Sequence, residues 1–230
     1  MTQSRSKEPQ NQAQLDTYAA QGPVKLGPWT SHIWRSDPRH LGFLLARYKF
    51  CAKMLEGLQD VLEVGCGDAF GIRVLKQSVG RVHGIDFEPL VIQDAQARLS
   101  AEGLEGCTFE VLDITARPSN SKYDAACSMD VIEHIPQEAE GRFMTNLCHS
   151  LRPHGVCILG TPNFEAQRFA SPASAEGHIN LKSASALREL LSEFFHNVFI
   201  FSMNDEVVHT GFYPMAHYLF GMGVEVKQGA

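Results

Sequence analysis

No stretch of this 230-residue chain approaches the roughly 20 consecutive apolar residues that cross a bilayer, so no membrane span is expected. The opening MTQSRSKEPQNQAQ has no apolar core that could serve as an export signal, and a cytoplasmic protein is expected. Basic residues are too few and too scattered for a phosphate backbone: 20 Lys and Arg stand against 26 Asp and Glu, and none of them form a stripe. A nucleic-acid partner is therefore not expected. The six cysteines include no CxxC and no paired metal-ligand spacing, which fits reduced core thiols rather than a disulfide frame or a thiolate metal centre. Tryptophan is scarce, and both copies, Trp29 and Trp34, fall close together near the start.

What is present has a clear order. Residues 1–20 are rich in Gln, Ser, Asn and Lys and predict a flexible tail. Residues 21–57 predict a helical extension, in which Leu41, Leu44, Leu45, Tyr48, Cys51, Ala52 and Leu55 recur at helical spacing before Gly57. It either packs on the main domain or covers a ligand as a lid. From 58 to 230 a single domain is expected. Short apolar runs at 60–65, 81–86, 107–113, 123–129 and 155–162 suit buried parallel strands, and helical patterns separate most of them. A last helix over 183–195 and a strand over 196–203 complete the pattern, so an α/β, doubly wound, mostly parallel sheet is predicted.

EVGCGDAFG, residues 63–71, gives up side chains at 65, 67 and 71 where the first strand ends. Ligands of such sheets bind outside the carboxyl ends of the strands, so these glycines suggest a backbone that a ligand touches. The full dinucleotide fingerprint needs a glycine at position 70, where this chain has Phe70, which disfavours a nicotinamide-dependent oxidoreductase. Asp86, at the end of the second strand, stands where a carboxylate accepts hydrogen bonds from ribose hydroxyls, or else caps the strand end.

EVGCGDAFG, GIDFEP, VLDI, YDAACSMDVIEHIP and LRPHGVCILGTPN, in that order, resemble the motif series of class I S-adenosylmethionine-dependent methyltransferases over residues 55–203. DVIEHIP and GTPN are similar to the branch with the ubiquinone-biosynthesis O-methyltransferases and sugar- and small-molecule-modifying enzymes. The resemblance implies a seven-stranded Rossmann-like sheet and S-adenosylmethionine as cofactor, leaving as S-adenosylhomocysteine. It implies that Glu63, Gly65 and Gly67 shape the methionine end of the site, with Cys66 and Ser128 alongside. Asp86 would hold the ribose, Phe87 would pack on adenine, and Asp113 would bond the adenine amino group beside Ile114. Ala69 stands where that family often has a third glycine.

Acceptor chemistry is expected at Asp130, Glu133 and His134, spaced so that one helical turn places all three on one side. His134 would act as a general base. The trio could instead bind a divalent ion, as the resemblance to ubiquinone-pathway enzymes suggests, or Asp130 and Glu133 could form a capping box. His178, just before the last helix, is a further acceptor-side candidate by the same resemblance. Contact with the acceptor is assigned to Trp29, Trp34 and the segment holding His209, Tyr213, His217 and Tyr218, whose aromatics otherwise fit core or subunit contact. The expected reaction is methyl transfer to a small molecule, on oxygen, with sugars as leading acceptors and a homodimer as a possible assembly. A protein that binds the cofactor without turnover is the non-catalytic alternative.

Overall fold

Two faces of one sheet explain the apolar runs. Along β1 (Asp60–Val64), Val61 joins one core cluster while Leu62 and Val64 join the other. Along β4 (Tyr123–Met129), Ala125, Cys127 and Met129 face the first cluster and Ala126 the second. A strand covered on both sides by helices has no polar face, which is why these segments lack alternation. The computed structural model describes residues 5–229.

β2 (Arg81–Asp86) and β3 (Cys107–Val111) extend the sheet on one side of β1, and β4 and β5 (Leu151–Pro162) extend it on the other, all in parallel. The strand order is β3-β2-β1-β4-β5-β8-β6-β7, with β6 (Phe195–Asn204), β7 (Val207–His209) and β8 (Tyr218–Val226). The expected seven strands are eight: β8 lies antiparallel between β5 and β6, and β7 is a three-residue edge. The change of direction at β1, where the chain leaves toward β2 and returns at β4, puts the switch point beside Gly65.

α1 (Gln12–Gln21) buries no side chain, so the segment read as a flexible tail carries a helix without a core contact. α2 (Pro28–Ser36) and α3 (His40–Met54) form the N-terminal extension. α3 packs with α4 (Ile72–Leu75) and α5 (Pro89–Ala101) on one face of the sheet. α6 (Gln137–His149) and α8 (Ala184–Phe194) cover the other, where Phe143, Leu147, Leu187 and Leu191 are fully buried. Ser183 caps α8 through its hydroxyl, as its place before the apolar run suggests. The short α7 (Pro172–Gly177) lies in the long segment after β5. No helix is long and apolar enough to cross a membrane, among the described residues.

Candidate active site

The glycine turn is built by backbone geometry that side chains resist. Gly65 and Gly67 have φ of 72° and 53°, in the left-handed region, and the N–H groups of Gly65 and Cys66 both donate to Ile85 O. A Cβ on Gly65 would strike Val131, and one on Gly67 would lie 2.9 Å from the Trp29 ring. Ala69 holds φ of 59° with its methyl buried, a conformation that costs an alanine about 1 kcal/mol and that the usual glycine would avoid. Gly71 serves a different purpose from the one expected: the Tyr48 ring of α3 fills the space its side chain would need. Its role is helix packing rather than approach of a ligand.

Asp86 locks this turn. One carboxylate oxygen accepts from Gly67 N at 2.9 Å and the other from Glu88 N at 2.9 Å, so both oxygens already orient the loop while keeping further lone pairs. A cavity beside it is lined by Asp86, Phe87, Asp113 and Ile114, with Val131 and Ile135 closing it. Phe87 is 72% exposed, its face uncovered by protein. Asp113 uses one oxygen on the N–H and hydroxyl of Thr115, leaving the other without a protein partner. Gly65, Cys66 and Gly67 line a second, larger cavity that meets the first at Trp29, Gly65 and Asp130. Burial pushes the Cys66 thiol far up, so it stays neutral there.

Two expected contacts stand behind these walls. Ser128 is buried in β4 with its hydroxyl unpartnered and lines neither cavity. Glu63 likewise lines neither; the Tyr48 hydroxyl donates to it at 2.6 Å, and its second oxygen has no partner. Burial, with Asp86 and Asp68 nearby, pushes Glu63 up from 4.5 to about 8 despite that hydrogen bond. Tyr48→Phe is expected to cost about 1–3 kcal/mol in urea unfolding, the penalty for a buried acceptor that loses its donor, with ligand affinity unchanged.

The single helical turn expected for Asp130, Glu133 and His134 does not form. Asp130 ends β4 with φ of 58°, Val131 follows with φ of −123°, and the residues Ile132–His134 make a short 3-10 turn without a side-chain cap. The capping box is therefore absent, and Asp130 turns away to Arg47 while Glu133 and His134 stay close to each other. Asp130 receives Arg47 Nη1 at 2.6 Å, and the Arg47 guanidinium lies 3.8 Å from the Tyr218 ring centre. Burial pulls the Arg47 pKa down, but Asp130 more than reverses it, so the guanidinium stays charged. Glu133 is fully buried, with Thr161 Oγ1 donating to one oxygen at 3.1 Å and the other oxygen unpartnered. Burial and the neighbouring Asp130 push it up to about 8.

His134 finds a different companion. Its Nδ1 lies 2.9 Å from Gly177 O, and because a carbonyl only accepts, Nδ1 carries the hydrogen and Nε2 is left with its lone pair in the neutral ring. His178 packs edge-on against it with ring centres 5.1 Å apart. Burial, then His134, lower the His178 pKa, favouring the neutral ring. One ligand atom each from Glu133, His134 and His178 falls within 4.8 Å of the others. The segment carrying His178 is stitched back to the sheet: Asn180 N donates to Glu133 O, and Asn180 and Lys182 both reach Glu140.

The larger cavity also takes in His217, Asn163, Phe169 and Trp29. Trp34 is not part of that lining and is exposed, and Tyr218 is buried beneath Arg47, so of the residues assigned to acceptor contact Trp29 and His217 reach the cavity. Arg47 is the site residue that sequence reading missed. Its signal was a basic residue inside the apolar stripe of Leu44, Tyr48 and Cys51.

Residues 61–155 match the methyltransferase domain family. Over that region the chain carries a methyltransferase domain similar to those of S-adenosylmethionine-dependent methyltransferases. Over 105 residues it is 29% identical to the "Probable S-adenosylmethionine-dependent methyltransferase" of Mycolicibacterium smegmatis, a match to 46% of this chain and 38% of that protein. Over 104 residues it is 30% identical to the ubiquinone biosynthesis O-methyltransferase of Rickettsia canadensis, a match to 45% of this chain and 43% of that protein. The matched region thus spans about two fifths of these relatives' length. Among solved structures, the N-methyltransferase NodS of Bradyrhizobium japonicum with S-adenosylhomocysteine superposes with a TM-score of 0.60 at 16% identity, over 91% of this chain and 98% of that one. The methyltransferase domain of bacterial CtHen1 gives 0.65 at 18% identity, over 80% and 98%. At these identities the likeness is one of fold, and the methyltransferase domain leaves the nicotinamide alternative without support.

Proposed function

We propose that this protein transfers the methyl group of S-adenosylmethionine to a hydroxyl of a small molecule, a sugar or a related metabolite. The observation that carries the reading is the meeting of Glu133, His134 and His178 beside the junction of the two cavities. In this reading Asp86, Phe87, Asp113 and Ile114 hold the adenosine, and Gly65, Cys66 and Gly67 flank the methionine end. The cofactor supplies a sulfonium methyl whose C–S bond breaks as the acceptor oxygen bonds to carbon, the electron pair passing to sulfur. What remains for the chain is alignment and removal of one proton.

His134 Nε2 takes that proton, and the Gly177 carbonyl on Nδ1 holds the ring in the tautomer that can accept it. Oxygen is favoured over nitrogen because a hydroxyl must lose its proton and the site supplies an acceptor for it. The ubiquinone relatives, named O-methyltransferases, point the same way. Sugars are favoured because the cavity pairs aromatic faces, Trp29 and Phe169, with hydrogen-bonding side chains, Asn163, Gln167 and Ser174.

A divalent ion held by Glu133, His134 and His178 is a second reading. The unpartnered buried oxygen of Glu133 and a neutral-leaning His178 fit such an ion, which would acidify the hydroxyl.

Calorimetric titration with S-adenosylhomocysteine, with NADH as comparison, tests the cofactor; transfer of labelled methyl to a panel of sugars and phenols tests the acceptor. His134→Ala is expected to slow turnover about 100-fold or more with cofactor affinity unchanged. Unchanged turnover would remove His134 from the mechanism. Activity lost in EDTA and restored by Mg²⁺ or Mn²⁺ would favour the ion, and indifference to EDTA the unaided base.

A further inference from the structure

One side chain joins the N-terminal extension to the glycine turn. Asp68 is buried, and its carboxylate accepts from Thr30 N at 2.8 Å on one oxygen and from Thr30 Oγ1 at 2.8 Å on the other. α2 starts at Pro28 with Gly27 as its N-cap, a residue with no side chain to satisfy the helix's first N–H groups. Asp68 does so from a different part of the chain, and its negative charge suits the positive end of the helix dipole. The fit excludes anything larger than glycine at position 27, since a Cβ there would collide with Asp68. Arg98 of α5 donates to Asp68 O, which braces the cap from the main domain.

Thr30 is the one residue of α2 that is buried, so the cap is its principal anchor. The next residue back is Trp29, whose ring stands on the backbone of Gly67 and lines both cavities where they meet. A ligand lying along Gly65–Gly67 and the ring need the same face of the turn. We propose that Asp68 is a positioning residue: by capping α2 from inside the glycine turn it latches Trp29 across the junction of the two cavities, and cofactor exchange requires release of that latch. The assignment of the junction to the cofactor rests on the function proposed above; the latch itself does not.

The test uses Trp34→Phe protein, in which Trp29 is the sole tryptophan. Without ligand, adding Asp68→Ala is expected to raise acrylamide quenching of Trp29 about twofold with the thermal midpoint of the domain nearly unchanged. Thr30→Val, which loses the hydroxyl bond and keeps the N–H bond, should raise quenching by less, and Thr30→Ser, which keeps both, should match the parent. In stopped-flow mixing, both association and dissociation of S-adenosylhomocysteine should quicken about tenfold in Asp68→Ala. Quenching equal to the parent in Asp68→Ala, or unchanged exchange rates despite increased quenching, overturns the proposal. Should Asp68→Ala not fold, the order Thr30→Val above Thr30→Ser decides the same point. A parent that fails to bind S-adenosylhomocysteine defeats the cofactor assignment, while the ligand-free quenching still reports on the latch.

Discussion

Asp86→Ala is expected to weaken S-adenosylhomocysteine binding at least about 100-fold, the largest loss from any single change at the candidate site. The carboxylate does two tasks. It holds Gly67 N and Glu88 N, each at 2.9 Å, and so sets the path of the glycine turn and the start of α5. In the proposed complex it also accepts from the ribose. Truncation strips both N–H groups of their acceptor, at about 1–3 kcal/mol where such a group is buried, and removes charge-assisted bonds of about 1.5–3 kcal/mol. A loss of about 3 kcal/mol already corresponds to about 100-fold in Kd. Asp86→Asn separates the contributions, because its one carbonyl oxygen can satisfy one of the two N–H groups while the charge is gone. Calorimetry should rank affinity as parent, then Asn, then Ala. Ala binding as tightly as the parent would mean that Asp86 is a strand-end cap and nothing more.

The parts of the fold that were legible are those in which one local rule decides. β1, β2 and β4 are covered on both sides, so their apolar runs are continuous, and the helices between them show their apolar stripes. β8 was hidden because α8 presses on it. A Cβ on Gly221 would collide with Leu191 of α8 and one on Gly223 with Phe195 of β6, so its sequence, YLFGMGVEV, carries two glycines that interrupt the strand signal. At the site, the glycine turn and Asp86 stand at strand ends fixed by the β-α-β rhythm, whereas Phe87 and Asp113 were expected only through the resemblance of the motif series. The pairing of His134 with His178 and of Asp130 with Arg47 could not be read, since 44 and 83 residues separate the partners and the meeting depends on loop and helix packing. Gly71 misled for a related reason: a glycine leaves room, but sequence does not say whether a ligand or Tyr48 fills it.

Stability measured by urea unfolding is expected to fall as pH rises from about 5 to 8, and Glu63→Gln should remove its own share of that fall, leaving the share of Glu133, which burial also raises to about 8. Glu63 is raised from 4.5 to about 8 chiefly by burial, with Asp86 and Asp68 adding to the effect. Between these values the unfolded chain has released the proton that the native protein keeps. Fewer protons are then bound in the unfolded state, so unfolding becomes more favourable with each pH unit, by about 1.4 kcal/mol for one group. The contribution is complete below 4.5 and lost as pH passes 8. His40 and His178 work in the opposite direction, because burial lowers both and the native state binds their protons less readily than the unfolded chain. They depress stability as pH falls through about 6.5, so the comparison must be made between parent and variant at each pH rather than along one curve. Glutamine keeps an oxygen for the Tyr48 hydroxyl and carries no charge at any pH. The difference in stability between Glu63→Gln and parent should therefore widen in favour of the variant by about 1 kcal/mol per unit from pH 5.5 to 7.5. A difference that stays flat over that range would show that Glu63 ionises at an ordinary pKa, and that the Tyr48 hydrogen bond outweighs burial.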